Sequence, residues 1–196
     1  MKRQTTKGRR EGKEGKEGKT KGRKEDDEKI PIYEPYLPSV LSMKVTLPIT
    51  EVGGNIKANL EKLIVSKTEG KCIVEGFVRP DSVHILTYSS GKVNAGLVEF
   101  MTTYECMVCY PVDGMHVRCI CNTITKAGIH AEVREQRGHV PIVPITMFIA
   151  RDHHMRSDLF EQVVEGAKLV VSVIGVRFEL NDSTICAIGK LVDIEQ

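Results

Sequence analysis

From residue 70 onward the sequence alternates apolar and polar residues over most of its length, and this feature constrains the fold most strongly. The clearest run places five apolar residues on one face of an extended chain: Val98, Phe100, Tyr104, Cys106 and Val108. Side chains that repeat every second residue lie on one side of a β-strand, so this run predicts one long antiparallel strand. With no Trp, five Phe and five Tyr, the core is expected to consist mainly of Val, Ile and Leu.

The region before and around this strand predicts a small α+β sheet. A strand at residues 43–47 is followed by apolar residues at helical spacing between Ile56 and Ile64. Two further strands flank a turn at residues 79–82, whose Arg-Pro-Asp-Ser sequence is typical of a hairpin turn. The order is strand, helix and three strands, which predicts a sheet with a helix on one face. We assign residues 43–112 to this first domain.

The remaining strands predict a five-stranded β-barrel. Two alternating segments meet at a turn from Lys126 to Gly128, and a third segment spans residues 142–150. A short helical segment near residues 157–164, capped by Ser157 or Asp158, precedes a final strand pair joined at Asn181-Asp182. Five strands with a helix between the third and fourth is the element order of an OB barrel, although small barrels of other topology remain open. We assign residues 113–196 to this domain.

The start of the chain has a different composition. Residues 1–29 hold 12 basic and 7 acidic residues, a net charge of +5 that leaves −3 for the rest. This arm has no apolar residue after Met1, so it cannot bury enough surface to offset its ordering entropy, and we predict disorder. A solubilising tail and an arm for nucleic-acid steering or nuclear import both fit it. Pro31, Pro35 and Pro38 predict an extended linker or edge segment over residues 30–42.

The six cysteines are irregularly spaced in a chain with an apolar core, which favours reduced thiols over a disulfide framework. Cys106-x-x-Cys109 and Cys119-x-Cys121 invite a zinc interpretation. In a strand, however, an offset of three residues points Cys106 and Cys109 to opposite faces, and no Gly makes a zinc knuckle. We therefore expect buried apolar thiols and no bound metal.

Catalytic motifs are absent from the sequence. Val52-Gly53-Gly54-Asn55 has only two glycines and no Lys at the position that a phosphate-binding loop requires. His153 and His154 are adjacent, so they lack the i, i+4 spacing of a helical zinc site. We expect no catalytic residue, no metal and no cofactor. No apolar run approaches the roughly 18 residues that span a bilayer, and no hydrophobic segment follows the charged start, so we expect neither membrane insertion nor secretion.

Basic and aromatic residues of the predicted barrel are candidates for contacts with RNA. Lys126, His130 and Arg134 project opposite the apolar residues of their strand, as a basic stripe or as a solvated face. Phe148 is either a core residue or a stacking platform, depending on which side of its strand it faces. The loop after the third barrel strand either borders the oligonucleotide groove or is a structural polar loop. The predicted RNA-binding residues are Lys126, His130, Arg134, Phe148, Arg151, His153 and His154.

Several segments together identify a family resemblance. They are Glu69-Gly70-Lys71-Cys72, the turn at residues 79–82, the strand through Val98 and Phe100, and the junction Pro111-Val112-Asp113-Gly114-Met115. The chain resembles, over about residues 43–194, the stalk subunit of archaeal and eukaryotic-type DNA-directed RNA polymerases, the E-prime or seventh-subunit family. Residues 148–154 and 177–182 look most like the versions carried by large cytoplasmic DNA viruses.

The resemblance implies a non-catalytic role in transcription. In this family the first, or tip, domain corresponds to residues 43–112 here and docks on the polymerase body, near the clamp base formed by the largest subunits. The OB domain, residues 113–196 here, contacts nascent single-stranded RNA. A partner of the fourth-subunit or F type normally packs along the stalk. The resemblance implies the host cytoplasm or the virion for a viral protein, and the nucleus or cytoplasm otherwise. The alternative function is a free OB-fold RNA-binding factor in translation or RNA decay.

Overall fold

The computed structural model describes residues 31–137, 140–154 and 158–195 of the chain. Its strands, in chain order, are β1 Tyr36–Pro48, β2 Cys72–Ile73, β3 Gly76–Val78, β4 His84–Tyr88, β5 Lys92–Asn94, β6 Leu97–Cys109, β7 His116–Ile124, β8 Gly128–Arg137, β9 Val140–Ala150, β10 Lys168–Arg177 and β11 Ile185–Glu195. The α-helices are α1 Ile56–Thr68 and α2 Asp158–Glu161, and 3-10 turns span Ile49–Glu51 and Arg151–His154. No helix in the described ranges is long and apolar enough to cross a membrane. The predicted arm and the predicted cap Ser157 lie outside these ranges.

An antiparallel open sheet forms the first part of the fold, with the long strand β6 at its centre. β1 pairs with β6 from Tyr36 opposite Cys109 to Pro48 opposite Leu97, and β3, β4 and β5 pair with the other edge of β6. Helix α1 covers one face, because its fully buried residues Leu60 and Ile64 share a core with the inward residues of β1 and β6. This arrangement confirms the predicted α+β sheet with a long antiparallel strand.

The first strand differs from the prediction. It begins at Tyr36 rather than at Met43, so residues 36–42 belong to the sheet and not to a linker. Pro38 is tolerated there because β1 is the edge strand of the sheet. On its open side no neighbouring strand needs a backbone N–H donor, which proline lacks. Of the two interpretations of the Pro-rich segment, the edge strand is therefore the correct one from Tyr36 onward.

The second part of the fold is a closed barrel with the strand order β10-β11-β9-β8-β7. The third and fifth barrel strands, β9 and β11, run parallel, whereas the other neighbours are antiparallel. This order, with the 3-10 turn and α2 inserted between the third and fourth strands, confirms the predicted OB-like barrel. The inward residues Ile129, Ile145, Ile149, Leu169 and Ile185 are fully buried in its core.

The open sheet and the barrel are packed against each other. Tyr36, Cys72, Phe77 and Cys109 of the sheet share one apolar core with the inward residues of the barrel. Backbone hydrogen bonds join Cys72 to the β10–β11 loop: its N–H donates to the Asp182 carbonyl, and its carbonyl accepts from the N–H of Asn181, both at 2.8 Å. The division at residues 112 and 113 stays a prediction, because side chains from both sides of it contribute to this core.

Candidate nucleic-acid interface

Strand alternation separates the barrel core from an outer face on β8. Ile129, Ala131 and Val133 are buried inside the barrel, whereas His130 and Arg134 are exposed. Strand β9 alternates in the same way, with Ile145, Met147 and Ile149 buried and the residues between them facing outward. The second and third strands of an OB barrel carry its usual oligonucleotide-binding face, and β8 and β9 are those strands here.

Strand register places the outward residues of β8, β9 and β11 in two parallel rows. The Phe148 row consists of His130, Phe148 and Ile188, which lie directly opposite one another on the three strands. The Glu132 row consists of Glu132, Thr146 and Cys186, which are also direct neighbours across the strands. Consecutive outward residues of a strand are about 6.6 Å apart, so the two rows run side by side across the barrel at that spacing.

Phe148 faces outward and not into the core. Its ring lies 4.9 Å from the His130 ring, centroid to centroid, with the planes tilted by 47°. A Cβ at Gly128 would lie 3.0 Å from Cζ of Phe148 and 2.3 Å from the carbonyl oxygen of Ile149. The absence of a side chain at Gly128 thus lets the Phe148 ring lie against the start of β8, which leaves the ring half-buried with one surface toward solvent. Of the two interpretations of Phe148, the geometry fits a stacking platform.

Arg134 is held in a closed set of hydrogen bonds. Its Nε donates to Oε2 of Glu132 at 2.8 Å, and its Nη2 donates to Oδ1 of Asn122 at 3.3 Å. Nδ2 of Asn122 donates to Oε1 of Glu132 at 3.2 Å, which closes the set. The charges of Arg134 and Glu132 therefore compensate each other at the end of the Glu132 row. Arg134 is less available to a phosphate than the sequence alone suggested.

Lys126, Arg151 and His153 lie at one end of the barrel. Lys126 is exposed in the turn between β7 and β8, and the neighbouring Ala127 accepts a backbone hydrogen bond from the N–H of Arg151 at 3.0 Å. The Arg151 guanidinium lies 5.0 Å from the Phe160 ring centroid, and its Nη1 donates to Oε1 of Glu161 at 2.8 Å. His153 is exposed on the same 3-10 turn. The cations at this end are Lys126 and Arg151, and the charge of Arg151 is partly compensated by Glu161.

The position of His154 corrects its inclusion among the predicted RNA-binding residues. Its ring is buried and stacks on the Phe160 ring at 5.1 Å. Nδ1 bonds to the Ala150 carbonyl at 2.8 Å, and Nε2 accepts from the N–H of Leu191 at 2.9 Å. A carbonyl only accepts and a backbone N–H only donates, so the ring is neutral with its proton on Nδ1. Both ring nitrogens have protein partners, and His154 is not available to RNA.

OB barrels commonly use the β10–β11 loop to bind a ligand, but here this loop is occupied by contacts with the open sheet. Its Asn181 and Asp182 form the backbone hydrogen bonds with Cys72 of the open sheet. Tyr110 also packs edge-on against Phe178 at the start of this loop, with the ring centroids 5.9 Å apart. The accessible part of the usual OB surface is therefore the outer face of β8 and β9 together with the turn at Lys126.

The cysteines behave as apolar core residues with one exception. Cys106 lies in the helix-covered core and Cys109 in the core shared with the barrel, on opposite sides of β6. Burial raises the pKa of Cys106 to about 11 and that of Cys109 to about 12. Cys186 is exposed in the Glu132 row, where its Sγ lies 3.6 Å from Oγ1 of Thr146. No group of three or more His, Cys, Asp or Glu that can hold a metal occurs in the described ranges.

Four residues of this face escaped the sequence-based prediction: Asn122, Glu132, Thr146 and Cys186. Glu132 alternates with buried residues and its outward direction was visible in the sequence, but an acidic residue is not a usual signal for RNA binding. The other three acquire their positions only from the pairing of β7, β9 and β11 with their neighbours. The face is consequently less basic, and richer in hydrogen-bonding groups, than predicted.

Comparison with known proteins gives one informative similarity. No family model matches the sequence. A protein of Acanthamoeba polyphaga mimivirus is 24% identical over 176 residues, which cover 81% of this chain and 83% of that protein. Its name describes it as a candidate DNA-directed RNA polymerase subunit. A match of this length is longer than either the open sheet or the barrel, so it includes residues of both.

Proposed function

We propose that this chain is a non-catalytic stalk subunit of a multisubunit DNA-directed RNA polymerase of a large cytoplasmic DNA virus. The observation that carries the proposal is the order of the fold, an α+β open sheet followed by an OB-like barrel, in a chain that is similar over most of its length to the mimivirus protein. Such a protein would act in the host cytoplasm or in the virion. Its role would be to assist initiation and transcript handling.

One contact joins two of the segments that carry the family resemblance. The Glu69 carboxylate accepts hydrogen bonds from the backbone N–H groups of Asp81, Ser82 and Val83, each at 3.0 Å. Two of the segments that resemble the stalk family, residues 69–72 and the turn at 79–82, are thus joined directly to each other. The contact fixes the turn between β3 and β4, in which Asp81 adopts a positive φ of 55°. The two strands pair with successive parts of β6 and not with each other, so this turn is not the hairpin turn that the sequence predicted.

We assign polymerase docking to the open sheet, residues 43–112 with the added start of β1. The face opposite α1 carries exposed apolar side chains, among them Val40 (62% exposed) and Met101 (54%). Val40 is opposite Glu105 and Lys44 is opposite Met101, so these side chains share one face. Exposed apolar residues on a sheet face are typical of a protein contact. The largest polymerase subunits, near the base of the clamp, are the proposed partners, with a fourth-subunit or F-type protein as a further one.

We assign RNA contact to the outer face of β8 and β9. The rings of His130 and Phe148 provide a surface on which a base can stack, and stacking contributes about 1–3 kcal/mol per base in single-strand binding. Lys126 and Arg151 provide cations for phosphates at one end of this face, and the exposed His153 ring provides a hydrogen-bonding group. Nascent single-stranded RNA emerging from the polymerase is the proposed ligand.

Affinity purification of the tagged full-length chain from its native source, followed by mass spectrometry, tests the proposal. We expect the two largest polymerase subunits to copurify. Met101→Asp should abolish copurification, because it places a charge on the proposed docking face, whereas the matched variant Phe148→Ala on the barrel should retain it. Recovery without the largest subunits would contradict the polymerase role and favour a free OB-fold RNA-binding factor.

A further inference from the structure

The Phe148 row and the Glu132 row together have the shape of a base-recognition site. A planar base that stacks on Phe148 and His130 projects its edge across the barrel toward the neighbouring row, about 6.6 Å along each strand. Thr146 on β9 is the centre of that row, and Glu132 lies beside it on β8, directly next to His130 along the same outward face. The groove formed by these two rows therefore presents one surface for stacking. Beside that surface it presents hydrogen-bonding groups that the edge of the base can reach.

Glu132 retains acceptor capacity toward this groove. Oε1 accepts one hydrogen bond from Asn122 and Oε2 accepts one from Arg134. Each carboxylate oxygen has two lone pairs, so both oxygens can accept a second hydrogen bond. The Glu132 side chain is 23% exposed, which leaves it accessible from the groove. Asn122 and Arg134 also hold the carboxylate in one orientation, so little side-chain freedom remains to be lost when a ligand binds.

We infer that this groove selects guanine in single-stranded RNA, with the base stacked on Phe148 and His130 and its N1–H and N2–H groups donating to the Glu132 carboxylate. The inference rests on the proposed RNA contact and assigns its base preference. Guanine has two adjacent donors on its Watson–Crick edge, which match the two carboxylate oxygens. Adenine and cytosine place a ring-nitrogen lone pair beside their amino group, and uracil places carbonyl oxygens on both sides of its N3–H. Each of those lone pairs would face a negatively charged oxygen.

The charge distribution agrees with base recognition rather than phosphate binding in the groove itself. Glu132 and Arg134 compensate each other's charge through an ion pair at 2.8 Å, so neither offers a free positive charge to a phosphate in the groove. The exposed cation Lys126 lies in the β7–β8 turn, away from the Glu132 row. A single strand of RNA that crosses the face with its phosphates near Lys126 and a base over Phe148 is consistent with both features.

Fluorescence anisotropy with the full-length chain tests the base preference. The two probes are a single-stranded oligouridine and the same oligonucleotide with one central guanosine, measured at the same salt concentration. We expect the guanosine probe to bind about tenfold more tightly, as one bidentate contact to a base edge typically provides. Glu132→Gln should abolish this preference while oligouridine binding persists. Glu195→Gln is the matched control, because Glu195 is also a barrel carboxylate in an ion pair, with Arg118, but lies at the other end of β11 from Cys186, so the preference should remain.

The outcomes separate this inference from the proposed function. Equal binding of both probes by the unmodified chain would overturn the guanine assignment and leave RNA contact intact. A preference that survives in the Glu132→Gln variant would overturn the role of Glu132. Binding of neither probe would overturn the RNA contact itself. Thermal unfolding of each variant shows whether it is folded, and Phe148→Ala, which removes the stacking surface, should weaken binding of both probes alike.

Discussion

Leu191 donates its backbone N–H to Nε2 of His154 at 2.9 Å, and this bond ties the 3-10 turn after β9 to the last strand of the barrel. The same ring bonds to the Ala150 carbonyl and stacks on Phe160. One side chain thus joins the third barrel strand, the inserted helical segment and the fifth strand. His154 stabilises the end of the barrel next to the proposed RNA-binding face, although it does not form part of that face.

His154→Ala should lower the free energy of unfolding by about 2–4 kcal/mol, because it leaves the Leu191 N–H without its acceptor and a cavity beside Phe160. Chemical denaturation of the variant and of the unmodified chain measures the difference. The control is His153→Ala, an exposed neighbour, for which we expect a change within about 0.5 kcal/mol. Equal stability of the two variants would show that His154 is not a structural residue.

Gly128→Ala should weaken both the barrel and the Phe148 surface. A Cβ at this position would lie 2.3 Å from the carbonyl oxygen of Ile149, which is backbone and cannot move without disturbing the β8–β9 pairing. We expect a loss of about 1–3 kcal/mol in the free energy of unfolding and weaker RNA binding. Gly175→Ala is the matched strand variant, since a Cβ there has nothing within 4 Å. A Gly128 variant as stable as the Gly175 variant would contradict the close approach.

The stability of the protein should fall at alkaline pH because of its buried thiols. Burial raises the pKa of Cys119 from 9.0 to about 12, and that of Cys109 to about 12. Above pH 9 the unfolded chain therefore loses thiol protons that the folded chain keeps. The unfolded state then binds fewer protons, so each such thiol lowers the free energy of unfolding by about 1.4 kcal/mol per pH unit.

Urea unfolding at a series of pH values above and below pH 9 measures this slope. Cys119→Ala should reduce the slope by the share of one thiol, whereas Val117→Ala, which truncates a buried side chain of the same strand and removes no thiol, should leave it unchanged. A slope that is the same in the unmodified chain and in Cys119→Ala would show that this thiol ionises without unfolding.

Cys186 provides a probe of the RNA path without any substitution. It is the one exposed cysteine, and the other five are buried. Iodoacetamide should therefore modify Cys186 first in the folded protein, as peptide mass spectrometry can establish. Single-stranded RNA bound along the Phe148 and Glu132 rows should slow this reaction in proportion to the bound fraction, and Phe148→Ala should remove the protection. RNA that binds and leaves the rate unchanged would place its path elsewhere, at the Lys126 turn or the N-terminal arm.

Much of the fold was predictable because strand alternation is a local property of the backbone. Successive side chains of a strand point to opposite faces, so the sequence alone assigned Ile129 to the core and His130 to the surface. The same reasoning separated Cys106 from Cys109, which lie in two different cores. The turn residues between strands and the position of the helical insertion then determined the order of elements, and with it the OB-like class of the barrel.

Tertiary structure alone decided which residues meet. Tyr36 enters the sheet because Cys109 is opposite it on β6, a pairing that the local run of prolines did not indicate. Phe148 lies opposite His130, and Thr146 lies opposite Glu132, through the register in which β8 and β9 pair. His154 was predicted to contact RNA, yet its ring is engaged by Leu191, and Asn181 of the predicted turn is engaged by Cys72, both through contacts distant in sequence. Alternation depends on one chain segment, whereas register and burial depend on partners far away along the chain, and for that reason only the folded protein determines the composition of the groove.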